Sequence, residues 1–400
     1  MSHKWPENLL TRARVVRGAL SAGLLLLLAA CSGMPGGEYF GLGGPPPPPP
    51  AQPAQVGGGR VKVALILPLS AQGNAATTAQ SMRNAAEMAL AEFNNPDIQL
   101  LVKDDGGTAP GAQQAAEQAL TEGAEIILGP LFAQSVGAAG QVARQRGIPV
   151  IAFSTDAGVA APGVHLLSFL PESEVNRVVA YAAQQGKRSF AALVPDNAYG
   201  TVVQAAFQQA VAANNGRVVV MERYPLDRGA MQGSVQRVAQ AARQVDAIFI
   251  PDGSDSVAAI TQGLTAAGVP KKQLVGTGLW DDPRLAAEPG VQGGWFASPD
   301  PAGFRAFSGR YRTRYGQDPV RPATLAYDAV SLVAALVKTQ GPNRFAEETL
   351  TNPSGFAGID GVFRFRPDGT NQRALAVMRV TANGAQVVSP APKSLGGSGT

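Results

Sequence analysis

From Arg60 onward the chain alternates short apolar runs with longer stretches whose apolar positions recur every three or four residues. Val61–Leu67 (VKVALIL) predicts a buried strand. The segment near Thr77–Asn94, with Met82, Ala85, Ala89 and Phe93 on one face, predicts a helix packed on it. The cycle repeats through a strand at 98–103, a helix at 109–122, a strand at 125–128, a helix at 135–146 and a strand at 149–153. It restarts near Pro171 with strands at 189–194, 217–222, 246–250 and 273–277. Helices at 198–214, 231–243 and 254–267 separate them, and Trp295-Phe296 marks one further short strand. Short apolar strands joined by helices imply βαβ units on a parallel sheet. Two such runs in succession predict an α/β protein of two Rossmann-like lobes. The tail breaks the pattern: helices are expected at 304–315 and 323–338, then an antiparallel hairpin of 361–366 with 374–380 about a turn at Pro367-Asp368-Gly369.

The first 59 residues follow a different rule. Arg12, Arg14 and Arg17 precede a twelve-residue apolar stretch, Ala19–Ala30. That is short of the roughly 20 residues that span a bilayer and suits the core of a signal peptide. It ends Leu28-Ala29-Ala30-Cys31, which resembles a bacterial lipobox, and Cys31 is the only cysteine in the chain. The expectation is therefore a signal peptide over 1–30 and lipidation of Cys31, anchoring the protein to a membrane from the periplasmic side. Ser32, rather than an aspartate, follows the cysteine, and by analogy with enteric lipoproteins this favours the outer membrane. Residues 31–59 read as the lipidated cysteine and a tether. Gly and Pro fill 17 of the 28 positions from 32 to 59, with a hexaproline at 45–50. Such a run cannot bury enough apolar surface to offset its ordering entropy. At full extension it reaches roughly 90 Å.

Composition narrows the function. Four of the 33 basic residues and one of the 29 acidic ones lie within residues 1–31, leaving 29 against 28. The pI near 9.3 therefore gives no basic footprint for nucleic acid. After residue 31 there is one histidine, His165, between apolar neighbours, as expected of an edge strand in a structural role. No G-x-S-x-G, H-E-x-x-H, S-x-x-K or phosphate-binding loop occurs. No catalytic residue, metal site or cofactor is expected, and the protein is expected not to be an enzyme.

In open parallel sheets, ligands sit beyond the carboxyl ends of strands, near helix N-termini. That rule selects the loops 68–74, 129–135 and 154–156 in the first lobe, and 195–200, 252–255 and 278–282 in the second. The candidate ligand-binding residues are Leu69, Ser70, Phe132, Ala133, Ser154, Thr155, Tyr199, Gly253, Trp280 and Asp281. Ser135 and Ser254 fit a helix cap as well as a ligand contact, and Asp156 fits a turn. Tyr199, at a helix start beside Gly200, is the leading single candidate, because its ring can stack on a ligand.

The segments VALILPLSAQG, AEIILGPLFAQSVGAA, GIPVIAFSTD, FLPESEVNRVVAYAAQQGKRSFAALVPDNAYG, VDAIFIPDGSD and AYDAVSLVAALV resemble, in order, type I periplasmic binding proteins of the Leu/Ile/Val-binding superfamily. The resemblance covers about 61–392. A-L-I-L-P-L, the G-P-L at 129–131 and the P-E-x-E at 171–174 are most similar to lipoproteins called penicillin-binding protein activators. The resemblance implies two lobes joined by three crossovers. The first lobe would hold 60–170 and 298–338, the second 171–297 and 339–392, with a disordered tail at 393–400. It implies a non-enzymatic ligand-binding or regulatory protein whose partner is a peptidoglycan synthase. The alternative is the substrate-binding subunit of an amino-acid ABC transporter, whose partner is a permease, with a small polar ligand between the lobes. Two positions depart from amino-acid receptors: Ala133 stands where a carboxylate-holding serine is expected, and the nearest acids to the ammonium-holding position are Asp281 and Asp282.

Overall fold

The computed structural model describes residues 54–94, 96–225 and 227–395. The signal segment, Cys31 and most of the tether lie outside the described residues. The first lobe begins with β1 (Gln55–Val56), β2 (Val61–Leu67), α1 (Asn74–Glu92), β3 (Ile98–Asp104) and α2 (Ala109–Thr121). It continues through β4 (Ile126–Leu128), α3 (Ala133–Gln145), β5 (Val150–Ala152) and β6 (Val164–Leu166). The second lobe runs through α4 (Pro171–Gln184), β7 (Ser189–Pro195), α5 (Ala198–Ala213), β8 (Arg217–Tyr224), α6 (Arg228–Ala241) and β9 (Ala247–Phe249). After α7 (Ser254–Ala266) come β10 (Gln273–Gly276), α8 (Pro283–Ala286) and β11 (Trp295–Ser298). The chain then forms α9 (Pro301–Tyr315), α10 (Ala323–Thr339), α11 (Glu347–Leu350), β12 (Phe356–Gly358), β13 (Gly361–Phe365) and β14 (Asn371–Arg373). It finishes with β15 (Ala376–Thr381) and β16 (Gly384–Ser389).

Each lobe is organised about one sheet buried on both faces. The first has the order β1-β3-β2-β4-β5-β6, parallel except for β1. Along β2, Val63, Leu65 and Leu67 join a core with α1 and α10, while Ala64 and Ile66 join the opposite core with α2 and α3. This is the period of two, with both sides apolar, that a doubly covered strand requires. The second sheet has the order β16-β15-β11-β10-β9-β7-β8, parallel except for β15, which runs antiparallel to both β11 and β16. Along β7, Ala191 and Leu193 face α6 and α7, and Phe190, Ala192 and Val194 face α4 and α5.

Three expectations change. The tether ends before Gln55, because β1 pairs antiparallel with Leu100 and Leu101 on the edge of the first sheet. Gly59 permits this entry: a Cβ there would lie 1.9 Å from the Ile98 backbone nitrogen. The tail hairpin does not form as drawn. Past the expected turn, β13 pairs with β14, and β15 instead pairs antiparallel with β11 in the other lobe. Residues 339–373 therefore pack on the first lobe, not the second. Leu350, Phe363 and Phe365 bury in its main core, and Phe365 lies 5.2 Å from the His165 ring. Finally, within the expected disordered tail, 393–395 are described and Leu395 is buried; 396–400 lie outside the described residues.

The chain passes between lobes three times, at 167–170, at 298–301 and at 374–375. The first and third passages are tied together. The Ser168 carbonyl accepts from Asn371 Nδ2 at 2.8 Å and from Arg373 Nε at 2.9 Å. His165 is fully buried on the edge strand β6, within 3.2 Å of Glu347, and burial holds its imidazole below the ordinary value.

Candidate functional site

At the carboxyl ends of the two sheets lies a cavity of about 450 Å³ with walls from both lobes and from the crossovers. A cavity of similar size, about 420 Å³, opens beside Lys271, Lys272 and Gln273 at the amino end of β10. The first is the candidate site, because only at the carboxyl ends do loops and helix starts from both lobes converge.

Three predicted residues come together there: Thr155, Tyr199 and Asp281. Tyr199 is the second residue of α5, whose first turn is capped by Asn197 accepting from Gly200 N at 2.8 Å. Its hydroxyl is 2.8 Å from Thr277 Oγ1, and burial raises its pKa above the ordinary phenol value. Asp281 Oδ2 accepts from Ser298 Oγ at 3.2 Å. Thr155 is exposed on the loop after β5.

The other candidates stand elsewhere. Trp280 faces inward: it is 1% exposed and donates from Nε1 to the Ile250 carbonyl at 3.0 Å. The indole lies so close to β10 that a Cβ on Gly276 would meet it at 2.1 Å. A ring of this size gains more from the core than from a wet cleft. Leu69 packs on the main core of the first lobe, and Ser70 N donates to Asp104 Oδ1 at 3.1 Å. Phe132 is the N-cap residue of α3, with Ala133 beginning the helix, and the Phe132 ring covers Gly107. Ser154 is buried, and its hydroxyl accepts from Asp156 N at 3.1 Å. Gly253 caps α7, and its N–H donates to Asp252 Oδ1 at 2.7 Å. None of these seven lines the interlobe cavity. Ser135 and Ser254 are neither caps nor cavity residues: their hydroxyls donate to the Thr108 carbonyl and to Asp282 Oδ2. Asp156 closes a turn by accepting from Gly158 N at 2.8 Å.

The structure adds residues that the loop rule missed. Glu174, in the first turn of α4, reaches the cavity while its Oε2 accepts from Gly278 N at 2.8 Å. Burial, with Glu172 and Asp281 nearby, pushes its carboxyl up to about 8, although the Gly278 N–H and Arg321 pull the other way. Arg321, ahead of α10, is gripped by Asp360 through two hydrogen bonds of 2.9 and 2.7 Å. Its guanidinium stacks 4.6 Å from the rings of both Phe169 and Phe304. Phe169 also lies 4.8 Å from the Arg373 guanidinium, so its ring is held between two arginines at the first crossover. Pro171 and Pro299, with Leu279 from the predicted loop 278–282, complete the apolar walls. Two acids at the start of a helix beside the lobe junction, in Pro171-Glu172-Ser173-Glu174, were a legible signal for Glu174. Arg321 had none, because its partner Asp360 is 39 residues away.

Among the described residues no three His, Cys, Asp or Glu side chains converge as a metal site. The arrangement is that of a container: acids and hydroxyls at the ends of two sheets, around apolar walls.

A family model described as periplasmic binding protein matches residues 60–385. The chain belongs to that family. A protein from Rhodospirillum rubrum, provisionally assigned to a branched-chain amino acid ABC transporter, is 22% identical with a TM-score of 0.73, over 82% of this chain and 99% of its own. A leucine-binding protein from Thermotoga maritima is 19% identical with a TM-score of 0.59, over 83% of this chain and 98% of its own. A solute-binding protein of an ABC transporter from R. palustris, solved with benzoate, is 20% identical with a TM-score of 0.58, over 85% and 98%. A comparison with curated proteins gives no significant match. At these identities the solved structures establish the fold of this periplasmic binding protein: two α/β lobes of mostly parallel sheet.

Proposed function

We propose that this periplasmic binding protein is the solute-receiving subunit of an ABC importer, delivering a small ligand from the interlobe cavity to a permease. The observation that carries the reading is the cavity itself, walled by both lobes beside three thin crossovers. Closure of two lobes around a solute needs this geometry. The likeness to transporter solute-binding proteins supports this reading over the regulator of peptidoglycan synthesis that the sequence motifs favour. The protein is non-catalytic, and family membership supports a periplasmic location. Lipidation at Cys31 is part of the proposal, whereas the outer-membrane placement drawn from Ser32 belongs with the regulator reading, because delivery to a permease favours an anchor near the inner membrane. A Cys31→Ala variant that stays membrane-bound argues against the anchor.

A thermal-melt screen of the full chain against about 1 mM amino acids, amines, aromatic acids and short peptides tests the receptor reading. A ligand of micromolar affinity stabilises by roughly 4 kcal/mol at that excess, which shifts the midpoint on the order of 10 °C. No shift with any solute, together with co-purification of a peptidoglycan synthase, overturns the receptor reading and restores the regulator.

A further inference from the structure

The charges lining the cavity are unbalanced. Glu174 and Asp281 line it, with Glu172 close enough to Glu174 to raise its carboxyl, and Asp156 close enough to raise that of Glu172. The one cation on the lining is Arg321, and both its terminal nitrogens are already committed to the fully buried Asp360. The remaining side-chain polar atoms on the walls are hydroxyls: Thr155, Ser298, which donates to Asp281, and Tyr199, which is bound to Thr277. A carboxylate entering here meets acids and, on the lining, no unpaired cation, so hydroxyls alone would have to offset the desolvation of its charge. A protonated amine meets its counter-charges.

We propose that the cavity takes an organic ammonium: a protonated amine on a compact apolar body, with Glu174 and Asp281 as charge partners and Phe169, Pro171, Leu279 and Pro299 around the body. This rests on the solute-receptor reading of the same cavity. The volume, about 450 Å³, lies within the roughly 300–1,000 Å³ of pockets that hold small organic ligands. Glu174 has one oxygen fixed by Gly278 N–H, which aims the carboxylate without consuming its charge.

Binding is then linked to protons. In the cavity the groups facing Glu174 are Glu172 on its own helix, Tyr199 on α5, Asp281 and the Gly278 N–H from the loop after β10, and Arg321 from the other lobe. Burial, with Glu172 and Asp281, outweighs the Gly278 N–H and Arg321 and keeps its carboxyl largely protonated at pH 7. An incoming ammonium favours the ionised form, so the carboxyl proton leaves for the solvent as the ligand enters. Affinity therefore rises between pH 6 and 8.

The test is isothermal titration of the full chain with phenethylamine and hexylamine, with benzoate and 3-phenylpropionate, and with leucine and phenylalanine. Each titration is run in phosphate and in Tris, so that proton release is read from the buffer-dependent heat. The expected result is binding of the amines, none of the carboxylates, and release approaching one proton per amine at pH 7. Glu174→Gln keeps an acceptor for Gly278 N–H, and is expected to weaken amine binding about 30-fold and to abolish the released proton. A merely structural Glu174 would leave that proton count unchanged. Binding of the carboxylates, or of the amino acids without the amines, overturns the ammonium class and leaves the receptor reading standing. If none of the six binds, the ammonium class falls, and the receptor reading is decided separately by the thermal-melt screen and synthase co-purification.

Discussion

Asp328 offers the sharpest test of the buried charges near the crossovers. It lies on α10, 3% exposed, with Oδ1 accepting from Ile359 N at 2.8 Å and Oδ2 without a partner among the described residues. Burial pushes its carboxyl up to about 7 from an ordinary 3.8, with Asp360 adding to the rise and Arg373 and Arg321 opposing it. An acid that titrates higher when folded binds more protons folded than unfolded. Its contribution is therefore fully present below pH 3.8 and is lost as the pH climbs through about 7. At 1.36 kcal/mol per unit, the loss approaches about 4 kcal/mol when complete. About 1.5 kcal/mol of this has gone by pH 5 and nearly all by pH 8, leaving about 2.5 kcal/mol between the two. Asp328→Asn removes the titration and keeps the acceptor for Ile359 N–H. Its amide nitrogen adds a constant offset of about 1–3 kcal/mol for an unpaired donor, so the informative quantity is the change with pH and not the absolute value. Urea unfolding of both proteins at pH 5 and pH 8 measures it. The wild type is expected to lose about 2.5 kcal/mol relative to the variant over that interval. Subtracting the two proteins also cancels the titration of Glu174 and His165, which both share. A wild-type-minus-variant difference that stays flat within half a kcal/mol refutes the reasoning, and the carboxyl would then be ordinary in the fold.

Two further outcomes follow from the packing. Trp280→Ala is expected to destabilise the protein by about 3–5 kcal/mol through a core cavity, with solute affinity of the folded fraction unchanged; a normal melting temperature with lost binding would return Trp280 to the cleft. Gly59→Ala places a methyl group against the Ile98 backbone. It is expected to cost about 1–3 kcal/mol and to release β1 first, seen as faster amide exchange at Val102, which donates to the Ala54 carbonyl; unchanged exchange there refutes it.

The order of strands and helices, and the two-lobed plan, were legible in the chain because each depends on local periodicity. An apolar run bounded by loops must bury both faces, and a stripe repeating every three or four residues must cover a sheet, wherever in space that sheet lies. The loops at the carboxyl ends were legible for the same reason, and Thr155, Tyr199 and Asp281 came with them. What depends on partners distant in sequence was decided only by the tertiary structure. The alternation in Ala376–Thr381 shows a strand but does not choose between β13 and β11 as its neighbour. The aromatic residues of β13 are apolar enough for either lobe, and the first lobe's core receives them. Trp280 and Asp281 are adjacent, yet one turns into the core and the other to the cavity, because Gly276 and the Ile250 carbonyl leave room and a hydrogen bond for the indole. Glu174 acquires its role from Gly278, 104 residues on, and Arg321 loses its free charge to Asp360. The charge of the cavity is therefore a property of pairings, and pairings over such separations are made by the fold and not by the pattern along the chain.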